Sequence, residues 1–267
     1  MSGQPTVKDI GPGERIAKRL ARVGVCSRRD AERLIAEGRI AVDGNVLTTP
    51  ALRVGPEARI TVDGKPIAAA ETTRLWRYHK PTGLLTTHRD PQGRPTIFQA
   101  LPKDLPRVVS VGRLDLNSEG LLLLTNDGML ARRLELPATG WTRRYRVRVF
   151  GTVRAEDLAR LAKGVTIEGM RYGPVLATLD RVQGSNAWLT MSLKEGKNRE
   201  VRRLLEHLGL KVNRLIRVAY GPFQLGNLAS GAVDEVPRRV LKAQLGSLLP
   251  EDLSAPRPAA HRGKRRS

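Results

Sequence analysis

Apolar positions along this chain follow two periods, and the switch between them outlines its parts. Ile16, Leu20 and Val23 recur at helical spacing, and Gly24 closes a first helix. Ser27 opens a second helix, with Asp30 three residues on as a capping partner. Ala31, Leu34 and Ile35 supply its buried face and Gly38 ends it. The pattern then turns to strands: Ile40-Ala41-Val42 runs into Asp43-Gly44, and a near copy, Ile60-Thr61-Val62, runs into Asp63-Gly64. Residues 14–68 therefore predict two short helices followed by a small hairpin-rich sheet. Residues 1–13, with Gly3, Pro5, Gly11 and Pro12, read as a flexible leader.

After a linker at 69–73, residues 74–250 alternate strands and helices. Val108 to Val111 reads as a buried strand leading into a loop at Gly112, and Leu121 to Thr125 as a second apolar strand before a helix that follows Asn126-Asp127. Arg144 to Phe150 alternates strictly, with Arg144, Arg146 and Arg148 on one face and Tyr145, Val147 and Val149 on the other. Helices are predicted over 155–163, closed by Gly164, and over 198–208, with Val201, Leu204, Leu205 and Leu208 as a core stripe and Gly209 as terminator. The irregular order of strands and helices points to α+β rather than a doubly wound sheet. From Ala255 to Ser267 there is no large apolar residue and no acid, so residues 251–267 read as a basic disordered tail.

Charge adds a partner to this picture. Among 267 residues, Lys and Arg total 47 against 26 Asp and Glu, a formal charge of +21 that is hard to explain without a polyanion. Nucleic acid is the first candidate, because neutralising phosphates releases counterions. The two N-terminal helices need their apolar faces for their own core, so Arg15, Lys18, Arg19, Arg22, Arg28 and Arg29 point outward and can grip phosphates. Ordinary solvated helix faces are the plain alternative. Aromatics are only 4%, which argues against a broad stacking sheet. No apolar run reaches the ~20 residues of a membrane helix. A single cysteine, Cys26, fits a reducing cytoplasm.

Several kinds of chemistry find no residues. There is no Walker loop or dinucleotide fingerprint, and His79, His88, His207 and His261 show no ligand spacing. No metal and no cofactor are expected. The segment at 112–120 holds an acid, a cation and two glycines between buried strands, as a rigid site requires. Composition does not choose among Asp115, Glu119 and Asp127, and a turn-forming aspartate also fits Asp115.

Three segments carry a resemblance. The string "GRLDLNSEGLLLLTNDG" closely resembles the catalytic motif of the RsuA/RluB-type pseudouridine synthases, with Ser118 where Thr is usual. "RRYRVRV" is similar to their pocket strand and "KEGKNREVRRLLEHLG" to their late basic motif. Residues 14–68 resemble an S4 RNA-binding domain of the αL type. The resemblance implies a small S4-like domain followed by a mixed, mainly antiparallel sheet with flanking helices. It implies Asp115 as the catalytic carboxylate, Tyr145 against the uracil, and Arg202 paired with the acid. Arg113, Arg199 and Arg203 join the cations that would hold RNA. It implies isomerisation of a uridine in ribosomal RNA, most simply that of the large subunit, by a cytoplasmic monomer. Small-subunit RNA is one alternative. The others are an S4-type assembly factor without catalysis and RNA hydrolysis by paired acids with metals.

Overall fold

A computed structural model describes residues 13–69 and 71–249. The expected leader, up to residue 12, and the basic tail lie outside the described residues.

The N-terminal part is a two-helix unit on a small sheet. Strand β1 (Glu14–Arg15) leads directly into α1 (Ile16–Arg22), and α2 (Arg28–Ala36) follows. Ser27 caps α2 as expected: its hydroxyl oxygen accepts the Asp30 amide at 3.1 Å and its proton goes to the Asp30 carboxylate at 2.6 Å. Strands β2 (Ile40–Val42) and β3 (Asn45–Val46) form a hairpin, β4 (Arg53–Val54) pairs with β1, and β5 (Ile60–Val62) and β6 (Lys65–Pro66) form the second hairpin. In each hairpin the Asp-Gly pair has φ positive at both residues (51° and 84°; 51° and 74°), the turn that matches strand twist. Ile16, Leu20, Leu34, Ile35, Ile40 and Ile60 close one core.

The larger part is built on a nine-stranded sheet. Its strands are β7 (Leu75–Lys80), β8 (Val109–Val111), β9 (Glu119–Thr125), β10 (Arg143–Phe150), β13 (Val175–Gln183), β14 (Asn186–Leu193), β15 (Lys211–Tyr220), β16 (Phe223–Gln224) and β17 (Val233–Glu235). The order runs β13-β14-β10-β15-β9-β7-β17, with β8 beside β9 and β16 beside β15. Strands β11 (Val165–Ile167) and β12 (Met170–Tyr172) make a separate hairpin. Every pairing in the large sheet is antiparallel except that of β9 with β15.

Two cores flank the sheet, which explains the unbroken leucine run in β9. Leu122 and Leu124 enter one core with Tyr145, Val147, Val149 and residues of α5 (Ala155–Leu161) and α6 (Glu200–His207). Leu121 and Leu123 enter the other, under α4 (Gly128–Glu135) and α7 (Arg238–Leu245). A strand covered on both faces needs apolar residues at every position. The short helix α3 (Ile97–Ala100) closes the first core at Ile97. Helix α6 starts later than its sequence predicts, because Arg199 sits in a left-handed conformation (φ 52°) and ends the preceding loop.

Candidate active site

The loop between β8 and β9 is fixed through its backbone. Asp115 accepts the Ser118 amide at 3.0 Å, so residues 115–118 form a β-turn. The Leu114 carbonyl accepts the Thr86 hydroxyl at 2.9 Å, and the Leu116 carbonyl accepts the Gly83 amide at 2.8 Å. Arg202 donates Nη2 to the Asn117 carbonyl at 2.8 Å. Lys80, fully buried at the end of β7, donates Nζ to the carbonyls of Ser118 (2.8 Å), Asp115 (3.1 Å), Leu116 (3.5 Å) and Pro81 (2.9 Å). Every carbonyl from Leu114 to Ser118 is thus occupied, while the Asp115 side chain makes no hydrogen bond to hold the loop among the described residues.

Glycines bound this loop for different reasons. Gly112 turns the chain at φ 66°, and its amide donates to Glu135 at 2.7 Å. Gly120 lies where β9 meets β15: a Cβ there would fall 2.4 Å from the Arg217 carbonyl oxygen. Only glycine allows that approach.

The loop opens onto a cavity of about 350 Å³ lined by Asp115, Arg113, Tyr145, Arg143, Arg217 and Glu200, among others. Tyr145 is 8% exposed and belongs to both the core and the cavity wall. Arg143 and Arg217 are buried cations on β10 and β15, with their guanidinium carbons 4.8 and 5.0 Å from the Tyr220 ring centre. Arg143 donates to the Lys194 carbonyl at 2.6 Å and the Tyr220 hydroxyl at 3.0 Å, and Arg217 to the Leu121 carbonyl at 2.7 Å. One Arg217 nitrogen, Nη2, is buried without a partner.

The family model for RNA pseudouridylate synthase matches residues 74–207, and that for the S4 domain matches residues 14–60. A Rickettsia felis protein named an uncharacterized RNA pseudouridine synthase is 48% identical over 230 residues, covering 86% of this chain and 99% of its own. The chain belongs to the RNA pseudouridine synthases. It is an enzyme that isomerises uridine within RNA, carrying an N-terminal S4 domain. A Pasteurella multocida protein named ribosomal large subunit pseudouridine synthase B is 45% identical, covering 84% of this chain and 67% of its own. A crystal structure described as a pseudouridylate synthase superposes with a TM-score of 0.60 at 25% identity, covering 86% of this chain and 99% of that one.

In this pseudouridine synthase the expected cations are placed unequally. Lys18, Arg19 and Arg22 do not stand as a free outward row: all three gather on Glu14, at 3.9, 3.4 and 2.6 Å. Glu14 precedes α1 and faces its first two turns, a contact the helical spacing of the cations does not reveal. Arg15, Arg28 and Arg29 are exposed. So is Arg113 at the cavity mouth. Arg199 precedes α6 instead of lying on it, with Glu206 at 3.9 Å, and Arg203 donates to the Tyr172 hydroxyl at 3.4 Å. The direct pairing of Arg202 with Asp115 is replaced by the bond to the Asn117 carbonyl, two residues along the same turn. Burial lowers the pKa of Arg202, while the charge of Asp115 acts to raise it.

Sequence reasoning did not single out Arg143, Arg217 and Glu200, which line the candidate site, or Lys80, which holds its turn. Burial raises the pKa of Glu200, against the amide of Lys197, which its Oε2 accepts at 2.9 Å. Burial pulls Lys80 down to about 8, against the fields of Asp115 and Glu119. Between that value and the free amine's 10.5 the unfolded chain binds more protons, so this group alone makes the fold more stable as pH rises. Loss of its proton nevertheless removes a donor from the carbonyl cluster. Activity is therefore expected to fall as pH passes about 8 with no parallel fall in Tm, checked by initial rates and thermal melts in the same buffers.

Proposed function

We propose that this synthase converts a uridine of large-subunit ribosomal RNA to pseudouridine in the cytoplasm, with Asp115 as the reacting carboxylate. Residues 14–68 would serve as the docking module and residues 74–250 as the catalytic one. The observation that carries the reading is a carboxylate on a fully tethered turn, in one cavity with a tyrosine ring that forms part of the wall. The name of the Pasteurella multocida relative supports the choice of RNA.

The reaction breaks the bond from ribose C1′ to uracil N1 and joins C1′ to C5; C5 loses a proton and N1 gains one, so there is no net change in atoms. A carboxylate suits this, either attacking as a nucleophile or taking a ribose proton so that the base departs. Tyr145 stacks on the freed base while it turns. Arg202 is a positioning residue acting through the Asn117 carbonyl. The uridine leaves its stack to reach the turn, at a cost of a few kcal/mol. Phosphate contacts from Arg15, Arg28, Arg29, Arg113, Arg199 and Arg203 offset that cost.

Mapping pseudouridine in both ribosomal RNAs from cells with and without the gene tests the substrate. A site lost from the large-subunit RNA is expected, and a site lost only from the small-subunit RNA would refute the reading. Tyr145→Leu removes the stack but keeps an apolar wall. It is expected to lower kcat/KM about 10- to 100-fold, from ~1–3 kcal/mol per stacked base, measured by tritium release from C5-labelled transcripts.

A further inference from the structure

The face of the large sheet opposite α5 and α6 carries, at its β10 end, a second set of cations. Arg144, Arg146 and Arg148 project from β10 on the side opposite Tyr145, Val147 and Val149, and so away from the core that forms the cavity wall. On that side α4 and α7 pack over Leu75, Leu121 and Leu123 at the β7 and β9 end. Over β10, β14 and β13 the surface is open: Phe150 and Leu176 are 51% and 67% exposed there.

The register shows what surrounds the row. Across from Arg144, Arg146 and Arg148 stand Ser192, Thr190 and Trp188 on β14, and Ala219, Ile216 and Arg214 on β15. None is an acid. Arg214 is held by Glu119 at 2.5 Å, and Asp180 accepts the Thr190 hydroxyl at 2.8 Å. Arg144 and Arg148 have no acidic partner among the described residues. The Arg146 guanidinium lies over the Trp188 ring, 4.9 Å from its centre. Like charges aligned along one strand repel, and an acid on the neighbouring strand is the usual remedy. Among the described residues, β9, β10, β13, β14 and β15 carry two acids: Glu119, which is paired with Arg214, and Asp180, whose single charge lies two strands from the three arginines and accepts the Thr190 hydroxyl.

We propose that this face is a second RNA-docking surface, which grips phosphates of a substrate segment away from the target uridine while Trp188 and Arg146 offer a stacking edge. The row spans about 14 Å along the strand, long enough to meet more than one phosphate of an extended RNA backbone. A polyanion relieves the repulsion along it, and an extended rRNA has backbone to spare beyond the nucleotides that the cavity and the S4 domain engage. The inference rests on RNA as the substrate but not on Asp115 or on which ribosomal RNA is modified.

The test uses the full chain and transcripts of both ribosomal RNAs. Replacing Arg144, Arg146 and Arg148 together with Gln should weaken binding about tenfold near 0.15 M salt. It should flatten the slope of log K against log salt by about two to three units, and leave kcat at saturating RNA unchanged. Replacing Arg160 and Lys163 on and beside α5 with Gln is the control for bulk charge. An unchanged slope in the triple variant, or an equal loss per charge in the control, overturns the proposal, as would a face that binds only an acidic protein. A second reading does not depend on the triple variant folding: RNA should quench part of the tryptophan emission, and the part contributed by Trp188 should vanish in Trp188→Phe. Identical quenching in that variant also overturns it. A pseudouridine site found only in small-subunit RNA would refute the earlier substrate reading and leave this one standing.

Discussion

Asp115→Asn is expected to abolish pseudouridine formation, by at least about 10⁴-fold in kcat, while the protein folds and binds RNA as before. The separation follows from how the turn is held. Its carbonyls are taken by Thr86, Gly83, Arg202 and Lys80, and its own amide at Ser118 closes it, so no hydrogen bond among the described residues depends on the Asp115 side chain. Asparagine has the same shape and also accepts turn positions, so the backbone has no reason to move. What it lacks is the negative charge and the nucleophilic oxygen. Tritium release, RNA affinity and Tm measured on one preparation decide the matter. Product formed at more than a trace by the variant would remove Asp115 from the chemistry.

The second large effect is expected at a residue that never meets the substrate. Lys80→Met keeps the length and apolar body of the side chain but strips donors from four carbonyls. Each buried acceptor left without a partner costs about 1–3 kcal/mol, partly offset because a buried cation is no longer present. A Tm roughly 5–10 °C lower is the expected net result. The loss of activity should be larger than the loss of stability, about 10²-fold or more, because a turn displaced by ~1 Å misaims its carboxylate. The fall in rate above pH 8 should also disappear, since its titrating group is gone. Wild-type rates and Tm in this variant would show that the carbonyl cluster is held by other means.

Much of the fold was readable from local pattern. The Ser27 cap, the two Asp-Gly turns and the alternation of β10 depend on neighbours a few residues apart, and sequence spacing reports those. Asp115 itself was singled out by family resemblance, since chemistry alone left Glu119 and Asp127 in contention. In the structure Asp127 caps α4 by accepting two amides and Glu119 is paired with Arg214, which supports the proposed role of Asp115. The hidden parts are those set by distant contacts. Lys80 sits in "LWRYHK" as one more polar residue, and its burial comes from a loop 35 residues on. Arg143 is indistinguishable in sequence from Arg144, yet one closes the cavity floor and the other faces outward. The αL conformation of Arg199 likewise has no local signature, which is why the start of α6 was placed two residues early.

The parallel contact between β9 and β15 is only two residue pairs long, Ile216 with Glu119 and Arg217 with Gly120. It is nonetheless the seam that joins the strands flanking the Asp115 loop to the ribbon bearing Tyr145. The spacing of the two groups that would face one uracil is therefore a matter of how two antiparallel ribbons are stitched, and the stitch passes through a residue with no side chain. Drift at that seam would detune the chemistry while each ribbon stayed intact, so this enzyme can lose its reaction well before it loses its shape.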